Sequence, residues 1–178
     1  SSLVGSEMCI RDRSDMNRSH RQEYLKELMQ YTDIDSYGKL YRNCELPVED
    51  RGRDTLLSVI GDYQFVISFE NAIGKDYVTE KFFNPLLAGT VPVYLGALNI
   101  REFAPGENCF LDICTFDSPE GVAAFMNQCY DDEALYERFY AWRKRPLLLS
   151  FTKKLEQVRS NPLIRLCQKI HELKLGGI

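Results

Sequence analysis

The chain has 178 residues, of which 44% are hydrophobic and 27% charged, with a formal net charge of −4. That length and apolar content suit one domain with a sizeable core and exclude a disordered chain. The acidic balance and the lack of a long basic run argue against a nucleic-acid partner, yet leave room for a local basic pocket that holds a small anion. No stretch approaches the roughly 18 consecutive apolar residues of a membrane span, so the chain reads as soluble.

Residues 1–14, SSLVGSEMCIRDRS, lack the apolar core of a signal peptide. They resemble translated adaptor sequence and are set aside as a non-native segment, which leaves 15–178 as the domain and makes the chain a fragment whose start carries no targeting information. In 21–30 (RQEYLKELMQ), Tyr24, Leu25, Leu28 and Met29 recur at i, i+1, i+4 and i+5, one face of a helix. Residues 33–38 predict a short strand and a Tyr-Gly turn. Residues 43–54 are polar, hold Pro47 and Gly52, and read as a loop. A short helix follows over 55–60.

The run QFVISF at 64–69 is compact, β-branched and aromatic, as a buried strand is. Residues 70–76 predict a loop, and 78–88 a helix closed by Gly89 as the residue beyond its end. Pro85 inside that helix predicts a kink or a break. VPVYL at 91–95 predicts a second buried strand, in which Pro92 sits awkwardly because proline belongs at strand ends or edges. Residues 109–113 predict a third strand. Ser118 caps a helix to about residue 130, with Pro119 at its first position. Helices are also predicted over 133–142, 153–160 and 163–174. Continuous apolar strands alternating with helices imply an α/β fold, a Rossmann-like doubly wound parallel sheet. Ligands in such sheets bind beyond the carboxyl ends of the strands, which points to the loops after Phe69 and Leu95.

The six cysteines, Cys9, Cys44, Cys109, Cys114, Cys129 and Cys167, form no Cys-x-x-Cys pair, and His20 and His171 lie far from them. A structural zinc site is therefore disfavoured, while disulfides and buried free thiols both stay open.

The segment ENAIGKDYVTEK at 70–81 leaves a buried strand and enters a helix. Asp76 is positioned to accept from the first-turn N–H groups, and the turn displays Tyr77, Thr79, Glu80 and Lys81. A helix N-terminus with a lysine suits a diphosphate. Glu80 offers acceptors for sugar hydroxyls, and Tyr77 a flat face. The plainer alternative is a solvated acidic helix start. No G-x-G-x-x-G and no G-x-x-x-x-G-K-[ST] occurs, which disfavours a dinucleotide dehydrogenase or a P-loop enzyme. Glu70, at the end of the strand, reads first as a structural carboxylate that fixes the loop and second as a catalytic acid.

The segment FVISFENAIGKDYVTEKFFNPLLAGTVPVYLGA resembles the hallmark of the α1,3/4-fucosyltransferases, glycosyltransferase family ten. Similarity extends upstream through RQEYLKELMQYTDIDSYGKLYRNCELP and downstream through 110–126 and AWRK at 141–144, covering about 21–174. The resemblance implies the C-terminal half of a two-domain GT-B fold, with GDP-fucose as donor substrate, inversion at the sugar, and no metal or other cofactor. It carries over Asn71, Tyr77, Glu80 and Lys81 as residues that hold the donor's fucose, ribose and pyrophosphate, together with Arg21 from a looser motif. By pattern alone Arg21 is an exposed helix-end arginine. Ala72 stands where the family usually has serine, and Leu40 where a cysteine often follows the Tyr-Gly turn.

In the family the catalytic base is a carboxylate of the N-terminal acceptor domain. The catalytic residue is thus unknown here, and the fragment alone is expected to bind donor without transferring fucose. Family membership further implies a Golgi membrane protein facing the lumen, anchored upstream of this fragment, acting on a glycan or glycoprotein acceptor. ALNIREFAP at 97–105 resembles plant core α1,3-fucosyltransferases and favours a GlcNAc-containing N-glycan. A GT-B transferase using another nucleotide sugar and a non-catalytic nucleotide-sugar-binding module remain the alternatives.

Overall fold

The computed structural model describes residues 8–10, as backbone only, and 17–159. The elements are β1 (Met8–Ile10), α1 (Arg21–Leu28), β2 (Ile34–Ser36), α2 (Arg53–Ile60), β3 (Phe65–Phe69), α3 (Glu80–Ala88), β4 (Val91–Leu95), β5 (Leu111–Asp112), α4 (Pro119–Asp131), α5 (Glu133–Glu137) and α6 (Leu149–Arg159). Short 3-10 turns lie at Ile100–Glu102, Ile113–Thr115 and Arg138–Lys144. The helix expected over 163–174 lies outside the described residues.

All pairings are parallel, and the strand order is β2-β1-β3-β4-β5. β3 is buried throughout, and its alternate residues face opposite layers. Phe65, Ile67 and Phe69 join Val91, Val93 and Leu95 of β4 in a core with Leu25 and Leu28 of α1, Val122 and Met126 of α4, and Phe139. On the other face Val66 meets Ile60 of α2, and Tyr94 meets Phe82 of α3. Helices therefore cover both faces, which makes the sheet doubly wound as the sequence implies. This is the Rossmann-like α/β arrangement expected from the sequence. The order reverses between β1 and β3, so a crevice is expected beyond their carboxyl ends.

β1 falls within the segment set aside in the sequence reading. Its backbone pairs with β2 at Met8↔Ile34 and with β3 at Met8↔Phe65. Ladder bonds use only main-chain groups, so the slot it fills is defined by the strands on either side.

Two prolines behave differently from the sequence expectation. The Val91 N–H donates to Gln64 O at 3.0 Å, which turns the ring nitrogen of Pro92 away from β3. Pairing with β5 begins only at Val93↔Leu111, so proline interrupts no ladder bond. α3 runs unbroken through Pro85, contrary to the expected break. The ring is buried, and its carbonyl accepts from Gly89 N–H and Thr90 N–H, closing the helix at Gly89 with φ 92°. α3 also starts at Glu80, two residues later than predicted. The helix predicted over 133–142 tightens into the 3-10 turn at Arg138, and the third strand shortens to two residues before the turn at Ile113.

Cys44, Cys109, Cys114 and Cys129 are free thiols. Burial pushes Cys109 and Cys129 each up to about 11.

Candidate functional site

The carboxyl ends of the central strands are stitched together by polar contacts. Arg18 N–H donates to Asn71 O at 3.0 Å, and Glu70 N–H to Leu95 O at 2.7 Å. The Ser19 hydroxyl donates to Glu70 O at 2.6 Å. The start of α1, the end of β3 and the end of β4 thus converge at the point where strand order reverses.

Arg21 is the first residue of α1 and is 1% exposed. Its Nη1 donates to Phe69 O at 3.3 Å. The exposed helix-end arginine read from pattern is therefore corrected: α1 begins over the end of β3, and the guanidinium points into the stitched region. Burial lowers its pKa, while the charge of Glu70 and then Tyr77 oppose that shift.

Glu70 is fully buried. Oε1 accepts from Thr79 N–H at 2.8 Å, and Oε2 from the Thr79 hydroxyl at 2.7 Å. The same hydroxyl oxygen accepts from Lys81 N–H, so Thr79 is the N-cap of α3. Both carboxylate oxygens are thus committed to the loop, which is the structural reading of Glu70. Burial raises its pKa, against the Thr79 hydrogen bonds and the charge of Lys81. Gly96 makes room for this carboxylate. A Cβ there would stand 2.5 Å from Glu70 Cγ and 2.5 Å from Tyr94 Oη.

Lys81 is half-buried, and its Nζ donates to Asn71 Oδ1 at 3.3 Å. Desolvation lowers its pKa. Glu70 opposes the shift, and Arg21 adds to it by like-charge repulsion. Arg21, Glu70 and Lys81 are therefore within electrostatic reach of one another. Tyr77 is 39% exposed, and its hydroxyl acts electrostatically on both Arg21 and Tyr94. Glu80 is exposed at the first position of α3 and acts on Lys81.

The expected cap is different in the structure. Asp76 lies at φ 61°, outside the helix, and does not serve the first turn. Thr79 caps instead because Glu70 orients its hydroxyl. Tyr77 consequently sits in a loop before α3. Asp76 N–H donates to Asn99 Oδ1 at 2.9 Å, and Asn99 Nδ2 donates back to Asp76 Oδ1 at 3.0 Å. Lys154 Nζ donates to the same carboxylate oxygen at 3.1 Å.

The structure therefore brings together Arg21, Asn71, Tyr77 and Lys81, with Glu80 beside them. Two cations and the N-terminus of α3 face one carboxylate whose oxygens are already bonded, an arrangement that favours a phosphate-type anion. Among the described residues, no group of three or more His, Cys, Asp or Glu is placed to hold a metal ion. Nor is any described helix long and apolar enough to cross a membrane. Sequence reasoning missed Ser19, Gly96, Asn99 and Lys154. Only Gly96 left a signal, as a glycine directly after an apolar strand.

A sequence profile described as Glycosyltransferase family 10 (fucosyltransferase) C-term matches residues 8–175. The chain belongs to this family. Within family 10, it is 36% identical over 130 residues to GDP-fucose protein O-fucosyltransferase 3 of Homo sapiens, covering 70% of this chain and 27% of the relative. It is 36% identical over 129 residues to Alpha-(1,3)-fucosyltransferase B of Drosophila melanogaster, covering 68% of this chain and 29% of the relative. The chain thus spans less than a third of the length of these curated relatives. In three dimensions it resembles a crystal structure of alpha1,3-fucosyltransferase with GDP-fucose. The TM-score is 0.64 at 18% identity, over 78% of this chain and 39% of that one. That likeness bears on the fold.

Proposed function

We propose that this family-10 chain forms the GDP-fucose-binding part of a fucosyltransferase, with Arg21, Asn71, Tyr77, Glu80 and Lys81 as the donor contacts. The observation that carries the reading is the meeting of the buried Arg21 and half-buried Lys81 at the point of strand-order reversal. The curated relatives support it through their names, and the solved structure through its bound GDP-fucose.

In this reading Arg21, Lys81 and the α3 N-terminus take the charge that develops on the departing diphosphate. No divalent metal is called for. Asn71, hydrogen-bonded to Lys81, fixes the direction of the ammonium. Glu80 and Tyr77 face the sugar and ribose. Inversion requires a base on the acceptor hydroxyl, which the family resemblance assigns to another domain.

The acceptor in this proposal is a GlcNAc-containing glycan of protein N-glycosylation, in the Golgi lumen. A second reading, a protein hydroxyl, is favoured by the relatives named as protein O-fucosyltransferases. Calorimetric titration of the chain with GDP-fucose, GDP-mannose and UDP-galactose tests the donor. Saturable binding of GDP-fucose in preference to the others is expected, whereas equal binding of all three, or none, sinks the reading. Transfer assays of the longer protein on an N-glycan and on a folded protein acceptor separate the two acceptor classes.

A further inference from the structure

The loop that carries Tyr77 exposes Ile73, Lys75, Asp76 and Tyr77, and its apolar anchor is the partly buried Val78. Its conformation rests on polar contacts to two distant parts of the chain. Asp76 holds a left-handed φ of 61°, a conformation that aspartate tolerates better than most residues but does not prefer. Asn99 meets it with a reciprocal pair of hydrogen bonds, at 2.9 and 3.0 Å. Lys154 of α6 completes the group. Its Nζ reaches Asp76 Oδ1 at 3.1 Å and Glu102 Oε2 at 3.4 Å, and lies 4.4 Å from the centre of the Phe103 ring. One ammonium therefore ties the loop after β3, the 3-10 turn after β4 and α6, the last described helix, together. Asp76 Oδ1 accepts from both Asn99 and Lys154, so losing either partner loosens the other's hold.

An exposed ion pair contributes little to the stability of a whole domain. Its effect is largest where few other contacts fix the backbone; here these are two local main-chain bonds and the packing of Val78, and that backbone positions Tyr77, the very next residue. We propose that Asp76, Asn99 and Lys154 act as positioning residues, a clamp through which α6 holds the Tyr77 loop in the shape that receives the nucleotide-sugar donor. This inference rests on the donor-site reading above. It assigns a role to a lysine 78 residues away in sequence from its partner.

The test uses the full chain and two readouts. Hydrogen exchange of the ligand-free protein reports the order of residues 74–79, and calorimetric titration with GDP-fucose reports donor affinity. Lys154→Met keeps the stem over Phe103 and removes the charge. Asp76→Asn keeps the Asn99 contacts and the left-handed backbone while removing the anion. Each should speed exchange in 74–79 and weaken GDP-fucose about two- to fivefold, with the melting temperature unchanged. Lys154→Arg should restore both readouts, and the double variant should be no worse than either single one. High salt should bring exchange at 74–79 in the wild type toward that of Lys154→Met and leave the variant's exchange where it was. Unchanged exchange at 74–79 overturns the clamp, and so does faster exchange with unchanged donor affinity. If the wild-type chain fails to bind GDP-fucose, the donor reading itself falls, whatever the exchange shows. If only the variants lose affinity, but without faster exchange, the donor reading stands and the clamp does not.

Discussion

Replacing Lys81 by methionine separates binding from folding in this site. Methionine keeps most of the apolar stem and removes only the ammonium. That ammonium is half-buried, hydrogen-bonded to Asn71 and close enough to Arg21 to feel its charge. A hydrogen bond to a charged group contributes about 1.5–3 kcal/mol, so GDP-fucose should bind roughly ten- to a hundredfold more weakly. Stability should move the other way, or not at all. Desolvation lowers the Lys81 pKa in the fold, so between the lowered value and the ordinary lysine value the unfolded chain binds more protons than the native one. Stability carried by this group therefore rises with pH in that interval, and the charged lysine costs the fold something below it. Methionine removes that cost and the repulsion with Arg21. Glu70 loses an attractive charge but keeps both Thr79 hydrogen bonds. The assay pairs calorimetric titration with thermal melting across neutral to alkaline pH. Wild-type affinity should fall as pH climbs, before the ordinary lysine range is reached, and the variant should be flat there. An unchanged dissociation constant for Lys81→Met, or weaker binding accompanied by a clearly lower melting temperature, refutes the reasoning.

Gly96→Ala would push a methyl to within 2.5 Å of both Glu70 Cγ and Tyr94 Oη. Overpacking of that kind costs about 1–3 kcal/mol, readable as a lower melting temperature, and a melt equal to wild type would contradict the packing described. Thr79→Val removes the N-cap of α3 and one partner of the buried Glu70, which should cost about 1–2 kcal/mol in urea denaturation, with Thr79→Ser recovering most of it. Alkylation followed by site-resolved mass spectrometry at mildly alkaline pH should label the exposed Cys114 first and the partly buried Cys44 later. Cys109 and Cys129, buried and raised to about 11, should react only after denaturation. Early labelling of Cys129 would mean that α4 does not pack on the sheet as described.

The parallel sheet was legible because its strands are buried on both faces and so read as unbroken apolar runs. β4 falls on 91–95 as predicted, and β3 begins one residue later than expected. Short edge strands left less to read. β5 keeps only Leu111 and Asp112, since a 3-10 turn capped by Asp112 competes for the residues that follow. The candidate site cluster was legible only through its motif. Nothing local distinguishes Arg21 as buried, because its burial comes from the end of β3, 48 residues away. The misplaced cap has a similar cause. Asp76 is the better capping residue by type, but Glu70 reaches across the loop to orient Thr79, and a tertiary carboxylate outweighs local propensity. Asn99 and Lys154 left no trace at all, because their contacts with Asp76 depend on the fold having formed.

Glu70 explains how two partly desolvated cations can sit near one another. Arg21 and Lys81 repel one another, and burial alone penalises both charges. A buried carboxylate within reach of both offsets part of that penalty, and its hydrogen bonds to Thr79 fix its place. The result is a region in which two cations lie near one buried carboxylate. A diphosphate would be drawn to two neighbouring cations beside the N-terminus of α3. The same carboxylate thus sets the helix start and balances the cations, two roles that a residue exposed at the surface could not combine, because water would screen the second.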